Sequence, residues 1–207
     1  MAPTVPSLPK LDLSSYVKHE RADAAQNRRA ILDAAESLRA RAPIQEIAMT
    51  DLAKHVGIGQ GTLYRRFESK AALAKTLLIK DFLASEEALH RRNRDVDEAP
   101  LDLLQWFAGV VIDVTLERAD LITATAMVED RAPGWWTDTL IAEWVVGTFT
   151  VLLEAVGVRH GARDQARTLI TVLVFPGPLS SSEEIEAERS RFLNLVEIFA
   201  HTAAPSA

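Results

Sequence analysis

The stretch QGTLYRR, which begins at Gln60, has the side-chain types that bind nucleic acid. The amide of Gln60 and the hydroxyl and methyl groups of Thr62 can contact base edges, and Gly61 lets the backbone approach a duplex closely. Tyr64 and Arg65 can donate hydrogen bonds to DNA phosphates. Phosphate contacts position a protein on DNA without specifying a sequence. The stretch contains no acidic residue. These residues therefore predict a surface that binds double-stranded DNA.

Basic residues outside this stretch are candidates for further phosphate contacts. Lys70 begins the next predicted helix, whose free backbone N–H groups add to the attraction for phosphate. Arg28 or Arg29, on an earlier predicted helix, could reach the neighbouring DNA strand. We predict that these residues position the protein on DNA, whereas Gln60 takes part in reading its sequence.

Two short amphipathic helices, about 49–56 and 60–66, are predicted to position this surface. Gly57 follows the first helix directly, where the chain needs a residue that tolerates φ > 0. The apolar residues fall on one side of each helix and are expected to be buried: Leu52, Ala53, Val56, Leu63 and Phe67. Such a pair is typical of a helix-turn-helix, whose second helix enters the major groove while the first braces it. The alternative is a helical hairpin on the protein surface whose positive side is merely solvated.

The rest of the chain is also predicted to be helical, so the expected fold class is all-α. An amphipathic helix over about 22–41 precedes the pair, and a longer one runs from its N-cap Ser69 towards Arg92. Ser181 and Glu184 form a capping-box pattern at the start of the last helix. The further helices are predicted over 101–118, 121–129, 135–156, 163–175 and 182–202.

Charge and composition divide the chain into three predicted parts. Residues 1–19 are expected to be a flexible N-terminal arm. Residues 20–92 form the predicted helix-turn-helix domain with a connecting helix, and residues 93–207 form a helical effector-binding and dimerisation domain. Residues 18–92 carry 14 Lys and Arg against 10 Asp and Glu, whereas 93–207 carry 8 against 18. The net charge of −6 therefore conceals a basic part that suits polyphosphate.

Composition also excludes several classes of protein. The chain has no cysteine, which excludes disulfides, thiolate metal sites and a cysteine nucleophile. It has no apolar run of about 18 residues and no signal-peptide layout, so we expect a soluble, cytoplasmic protein without a membrane partner. The five histidines form no metal-binding pair, and hydrolase motifs are missing. We therefore expect no metal, no cofactor and no enzymatic activity.

All four tryptophans lie between residues 106 and 144. Large flat side chains from several helices can line a cavity for an apolar or aromatic effector. Ordinary core packing is the alternative, because tryptophan buries much surface wherever a bundle has room. The predicted ligand-binding residues are Trp106, Val110, Met127, Trp135, Trp136, Leu140 and Trp144.

Apolar residues on the last two predicted helices suggest a homodimer. If exposed, they would leave a large apolar patch, which the same pair of helices from a second copy could cover with two-fold symmetry. The alternative is that they complete the core of the single chain. The predicted interface residues are Leu169, Val172, Leu173, Phe192, Leu195, Val196 and Phe199.

Four sequence elements between about residues 25 and 73 resemble the DNA-binding domain of the TetR family. The elements are Arg29-x-Ile31-Leu32-x-Ala34-Ala35, Leu52-Ala53-x-x-Val56-Gly57-Ile58, Gly61-Thr62-Leu63-Tyr64-x-x-Phe67 and Ser69-Lys70-x-x-Leu73. They cover roughly a quarter of the chain, and the remainder is similar to the family only in its helical pattern and length. The resemblance implies a homodimeric, repressor-type regulator with a C-terminal ligand pocket.

Two residues depart from the family pattern. Ala48 stands where the family usually has Ser or Thr, which would cap the second helix and touch a phosphate. Losing that cap could cost ~1 kcal/mol unless Thr50 substitutes for it, and Thr50 is for this reason a further candidate for DNA contact. Gly59 replaces a common Ser and contributes no hydroxyl.

The function that these observations favour is a ligand-responsive, DNA-binding transcriptional regulator. We expect a repressor that a small apolar or aromatic effector releases from a palindromic operator. An activator or a ligand-independent regulator would have the same fold and DNA site. The alternative from another class is a helical small-molecule-binding protein or enzyme that does not bind DNA.

Overall fold

The computed structural model describes residues 5, 7–12, 22–95, 98–126, 140–173 and 181–201, and within them all regular secondary structure is helical. The all-α prediction is therefore confirmed for the described residues. The helices are α1 (Ala22–Arg39), α2 (Met49–Val56), α3 (Gln60–Arg66), α4 (Lys70–Asp95), α5 (Pro100–Glu117), α6 (Ala119–Ala126), α7 (Leu140–Ala155), α8 (Ala162–Leu173) and α9 (Ser182–His201). None of these described helices is long and apolar enough to cross a membrane.

Both predicted N-caps form the expected hydrogen bonds. Ser69 Oγ accepts a bond of 3.1 Å from the Ala72 N–H at the start of α4. At α9 the capping box is complete, because Glu184 N–H donates to Ser181 Oγ and Ser181 N–H donates to the Glu184 carboxylate, each at 3.1 Å. These bonds satisfy N–H groups that a helix leaves without intrahelical partners.

The chain divides into two compact units. Among the described residues, the N-terminal unit comprises 12, 22–81 and 118–126, and the C-terminal unit comprises 5, 7–11, 82–95, 98–117, 140–173 and 181–201. The two units meet in sequence between residues 81 and 82, within α4, whereas the predicted domain boundary lies near residue 92. Only the first half of α4 therefore belongs to the N-terminal unit. Helix α6 also lies in the N-terminal unit, although the predicted division placed it in the second domain.

The core of the N-terminal unit is built from apolar side chains of four helices. Helix α1 packs against α2, and α2 packs against α3. The residues at its centre are all buried: Ile31, Leu52, Leu63, Phe67 and Leu73. Burial of each such side chain contributes about 1.5–3 kcal/mol to stability, so this small unit depends on every one of them.

Aromatic side chains form a continuous row through the C-terminal unit. Phe82 meets Trp144 edge to face with ring centroids 6.3 Å apart. Trp144 meets Phe107 at 5.7 Å, and Phe107 meets Phe149 at 5.0 Å. Phe149 then meets Phe192 of α9 at 6.3 Å. Edge-to-face pairs of this kind stabilise a core beyond the area that they bury.

Residues 5 and 7–12 are the described part of the predicted flexible arm over residues 1–19, and they pack against the C-terminal unit. Val5, Leu8 and Leu11 are buried, and the backbone groups of Val5, Pro9 and Leu11 form hydrogen bonds with side chains of the C-terminal unit. The prediction relied on the prolines and on weak periodicity. It missed that apolar residues recur at every third position from Val5 to Leu11, a spacing that matches neither the period of an α-helix nor that of a strand.

Four of the seven predicted interface residues are already buried within the single chain, and the predicted interface stays a prediction. These four are fully buried: Leu169, Leu173, Phe192 and Val196. Helix α8 packs against α7, and α9 packs against α5, so the same apolar stripes face the protomer's own helices. Val172 is 44% exposed, whereas Leu195 and Phe199 are half-buried. The sequence interpretation also missed Ile198, which is 57% exposed.

Candidate nucleic-acid interface

The turn between α2 and α3 depends on Gly57. This residue has φ 76° and ψ 28°, a left-handed conformation that L side chains rarely adopt. The N–H groups of Gly57 and Ile58 donate to the carbonyls of Lys54 and Ala53 at 3.1 and 3.0 Å. These bonds close the end of α2 and turn the chain at once into α3. The helix-turn-helix prediction is therefore confirmed in its geometry.

Helix α3 is short and is fixed by its buried side. The Gly59 carbonyl accepts hydrogen bonds from Thr62 and Leu63 N–H at 2.9 and 3.1 Å, which start the helix. Leu63 is fully buried, and Phe67 directly after the helix is buried as well. Because these two residues face the core of the N-terminal unit, the opposite side of α3 faces outward.

The outward side of α3 carries the predicted DNA-reading residues. Gln60, Gly61 and Arg65 are exposed, and Tyr64 is 48% exposed. Thr62 is half-buried, and its hydroxyl accepts a hydrogen bond of 3.0 Å from Arg65 Nη2. The first turn of α3 contains no acidic residue. The helix therefore presents amide, hydroxyl, phenol and guanidinium groups without a carboxylate that would repel phosphate. We call these five residues the α3 surface.

The other predicted DNA-contacting residues make contacts within the N-terminal unit. Lys70 Nζ donates to the Gln45 carbonyl at 2.7 Å. The Arg28 guanidinium lies over the Phe67 ring at 4.7 Å and donates to Thr76 Oγ1 at 3.3 Å. Thr50 is half-buried. Their roles in phosphate binding stay predictions.

Helix α2 begins without a side-chain cap. Ala48 has an extended backbone and forms no capping hydrogen bond. Gly59, the N-cap of α3, likewise lacks one. Neither helix relies on the hydroxyl that the family pattern would supply, so packing of Leu52 and Leu63 must hold the pair in place.

An ion pair that the sequence did not indicate anchors the loop before α2. Arg39 Nε donates to Asp120 Oδ2 at 2.9 Å, and Arg39 Nη2 bonds to Asp120 Oδ1, which makes a two-point contact. Asp120 Oδ2 also accepts the Ile44 N–H at 2.9 Å. The Asp120 carbonyl accepts from Gln45 Nε2 at 2.5 Å. Because Gln45 also bonds to Lys70, this anchor joins α1, α4 and α6 to the loop that leads into the helix-turn-helix.

The two charges of this anchor hold each other ionised. The side chains of Arg39 and Asp120 are only 7% and 15% exposed. Burial alone would raise the pKa of Asp120, but hydrogen bonds from Arg39 and Ile44 outweigh it and lower that pKa. Burial would likewise lower the pKa of Arg39, yet the bond and the charge of Asp120 raise it. A buried pair of this kind is strongly destabilising when one partner is removed.

A second ion cluster adjoins this anchor in the N-terminal unit. Arg118 bonds to Glu36 at 2.9 Å and to Asp81 at 2.9 Å, and Glu36 also bonds to Arg39. Burial raises the pKa of Asp81, and the neighbouring Arg118 offsets only part of that effect. The cluster joins Arg118, which directly precedes α6, to α1 and to the first half of α4. Spacing alone could not reveal it, because its members lie up to 82 positions apart.

The predicted ligand-binding residues fall into different surroundings in the C-terminal unit. Trp144 belongs to the buried aromatic row, whereas Trp106 is half-buried with the Arg92 guanidinium 5.2 Å above its ring. Val110 is half-buried, and Leu140 at the start of α7 is 41% exposed. Met127, Trp135 and Trp136 lie outside the described residues. A ligand-binding role for these residues stays a prediction.

Comparison with known proteins finds similarity to a protein family in the N-terminal part of the chain. The profile described as bacterial regulatory proteins, tetR family, matches residues 31–77. An HTH-type transcriptional regulator from Staphylococcus aureus (strain USA300) is 33% identical over 93 residues, which cover 42% of this chain and 50% of that protein. The chain thus spans about half the length of the curated relatives it matches.

Solved structures extend the similarity to most of the fold. A TetR transcriptional regulator from Rhodococcus sp. RHA1 has a TM-score of 0.54 at 20% identity, covering 88% of this chain and all of that one. NalD, the secondary repressor of the MexAB-OprM multidrug efflux pump in Pseudomonas aeruginosa, has a TM-score of 0.55 at 18% identity and covers 90% of this chain and 100% of its own.

These similarities concern two levels of the molecule. Residues 31–77 match the profile of bacterial regulatory proteins of the tetR family. The described fold, with a helix-turn-helix in one unit and a helical second unit, is similar to that of solved TetR regulators.

Proposed function

We propose that this protein is a ligand-responsive, DNA-binding transcriptional regulator that acts as a repressor. The observation that carries the proposal is the α3 surface, in which Gln60, Tyr64 and Arg65 are exposed, no acidic residue occurs, and the buried Leu63 holds the opposite side of the helix. A helix of this length, seven residues, fits the major groove. The protein is expected to act by binding, not by catalysis.

The proposed regulator is a homodimer joined through α8 and α9. Val172 and Ile198 are exposed in the single chain, and Leu195 and Phe199 are half-buried beside Ile198. Residues 195, 198 and 199 share one side of α9 by their spacing. Covering these side chains with the same surface of a second copy would give a two-fold interface. The dimer would present two α3 surfaces to half-sites about 34 Å or somewhat more apart.

Release by an effector requires that the effector prefer the DNA-incompetent conformation. A tenfold loss of operator affinity needs about 1.4 kcal/mol of such preference. The C-terminal unit is the proposed site for an apolar or aromatic effector, because its interior is rich in aromatic side chains. Polar contacts at the rim of the site would add specificity.

Selection of bound fragments from random duplex DNA tests this proposal. The protein is expected to retain a palindromic sequence, and its affinity should fall steeply with salt because several phosphates are neutralised. Compounds that release the selected fragment would then identify the effector. Retention of no sequence at low salt would contradict the proposal and favour a helical small-molecule-binding protein.

Gln60 is expected to contribute to sequence preference more than to overall affinity. The Gln60→Ala variant should lose about 1–3 kcal/mol of discrimination at one base pair of each half-site, because an amide pairs with a base edge through two hydrogen bonds. The measurement is a competition assay with single-base variants of the selected fragment. Unchanged discrimination at every position would exclude Gln60 from base contact.

A further inference from the structure

The segment comprising residue 5 and residues 7–11, which we call the strap, packs against the C-terminal unit. Its apolar side chains Val5, Leu8 and Leu11 are buried, and Lys10 between them is exposed. The strap is therefore held by one side only, as a peptide bound to a surface would be.

Two hydrogen bonds align the strap with the second half of α4. Asn93 Nδ2 donates to the Val5 carbonyl at 3.1 Å. The Leu11 N–H donates to Glu86 Oε1 at 2.6 Å. Glu86 and Asn93 lie seven residues apart, which is two helical turns or roughly 10 Å along one side of the helix. The strap therefore runs antiparallel to α4 between these residues.

A third hydrogen bond joins the strap to α7. Trp144 Nε1 donates to the Pro9 carbonyl at 3.1 Å. A Cβ at Gly147, one turn further along α7, would lie 3.4 Å from Pro9 Cγ, so the glycine allows the strap to lie close. Trp144 is also in ring contact with Phe82 of α4 and with Phe107. The strap thus lies along a groove that is lined by α4 and α7 and borders the aromatic row.

The strap is held in a strained conformation. Ser7 has φ 40° and is the one residue other than glycine with positive φ among the described residues. A left-handed conformation is unfavourable for serine. Docking also reduces the conformational entropy of the segment. The free energy that this costs is similar to the free energy gained by burying a few apolar side chains. Docking of the strap is therefore expected to be reversible.

We propose that the groove between α4 and α7 is a ligand-binding site and that the strap competes with the ligand for it. The strap indicates which chemical groups the site can bind. It places apolar side chains in buried positions and provides a carbonyl oxygen that accepts a hydrogen bond from Trp144 Nε1. The ligand is an elongated apolar molecule with a carbonyl-type acceptor. This inference rests on the proposed ligand response of the C-terminal unit, although it does not depend on DNA binding.

Competition of this kind sets the apparent affinity of the ligand. Only molecules whose strap is undocked can bind, so the apparent dissociation constant equals the intrinsic one divided by the undocked fraction. A change that releases the strap should therefore tighten ligand binding without altering the groove.

Ser7→Pro in the full-length protein tests the proposal. Proline fixes φ near −65°, so it is incompatible with the docked strap, yet it changes no buried side chain. Ser7→Gly is the matched control, because glycine accepts φ 40° without strain. The affinity for the apolar, aromatic dye anilinonaphthalene sulfonate is expected to rise roughly tenfold in Ser7→Pro, by the undocked-fraction relation, and to stay equal or fall in Ser7→Gly.

Three further measurements make the result specific. Trypsin cleavage after Lys10 reports release of the strap, and it should accelerate in Ser7→Pro. A synthetic peptide of residues 1–12 should displace the dye from Ser7→Pro, whereas a peptide of the same composition in scrambled order should not. Unchanged thermal unfolding would show that dye binding does not report a loosened core.

The proposal is wrong if cleavage after Lys10 accelerates while the dye affinity stays the same. Leu8→Asp is a second releasing variant, because it would place a charge in a buried position. If neither variant accelerates cleavage, the strap is a permanent part of the fold and the proposal also fails. Retention of the selected DNA is measured in the same variants, since its absence would contradict the proposed regulator but leave the competition result intact.

Discussion

Asp120→Ala is expected to lower the free energy of unfolding by about 3–5 kcal/mol, because it leaves Arg39 charged, buried and without this partner. The Ile44 N–H would lose its acceptor as well, which adds to the cost. Urea unfolding at pH 7 measures the effect. Asp51→Ala is the matched control, since Asp51 and its partner Lys54 are 63% and 79% exposed, and we expect less than about 1 kcal/mol there. Equal losses in the two variants would contradict the importance of the anchor.

The contribution of Asp120 should depend on pH in a defined direction. Because its folded-state pKa is lowered, the stabilisation is present above the ordinary aspartate pKa of about 3.9 and is lost as pH falls through the folded-state value. The difference in stability between wild type and Asp120→Asn should therefore be constant from pH 7 to about 5 and shrink below about 3.9. The pKa of Asp81 is raised, but Asp81 is present in both proteins. Its contribution to the pH dependence of stability therefore cancels in this difference.

Placing charges on the exposed apolar side of α8 and α9 is expected to separate the dimer. In the double variant Val172→Glu, Ile198→Glu the dissociation constant of the dimer should rise about 100-fold or more, because each unpaired charge would have to be desolvated at the interface. The stability of the single chain should change little, since both residues are exposed within it. Sedimentation equilibrium measures the association.

DNA affinity should fall with the loss of the dimer, because two linked α3 surfaces bind one palindrome far more tightly than either alone. Leu83→Glu is the control, since Leu83 is an exposed apolar residue of α4 at 38%. The proposed interface would be wrong if the dimer dissociation constant of the double variant equalled that of wild type. It would also be wrong if Leu83→Glu raised that constant as much as the double variant does.

The helix-turn-helix could be predicted from the sequence because its determinants are local. Gly57 directly after an apolar stripe requires a left-handed turn, and the positions of Leu63 and Phe67 fix which side of α3 is buried. Two short helices that a turn at Gly57 joins leave few alternative conformations. That geometry alone predicts which side chains form the α3 surface.

The remaining features depend on contacts between residues distant in sequence. An i, i+3, i+4, i+7 stripe predicts that Phe192 and Val196 are buried, but it does not predict which surface covers them. The prediction assigned that cover to a second subunit, whereas helices of the same chain provide it. The Arg39–Asp120 pair joins residues 81 positions apart, and no local pattern marks either one. The strap was missed because Val5, Leu8 and Leu11 follow a three-residue spacing on a segment rich in proline.

The most direct test of the α3 surface is the affinity of Tyr64→Ala and Arg65→Ala for the selected DNA fragment across a range of salt concentrations. Both variants should bind about tenfold more weakly to any sequence, and the salt slope should fall by about one in Arg65→Ala because one phosphate contact is lost. Arg167→Ala, which removes a 59% exposed cation on α8, should bind like wild type. If all three variants match wild type in affinity and salt slope, the α3 surface does not bind DNA.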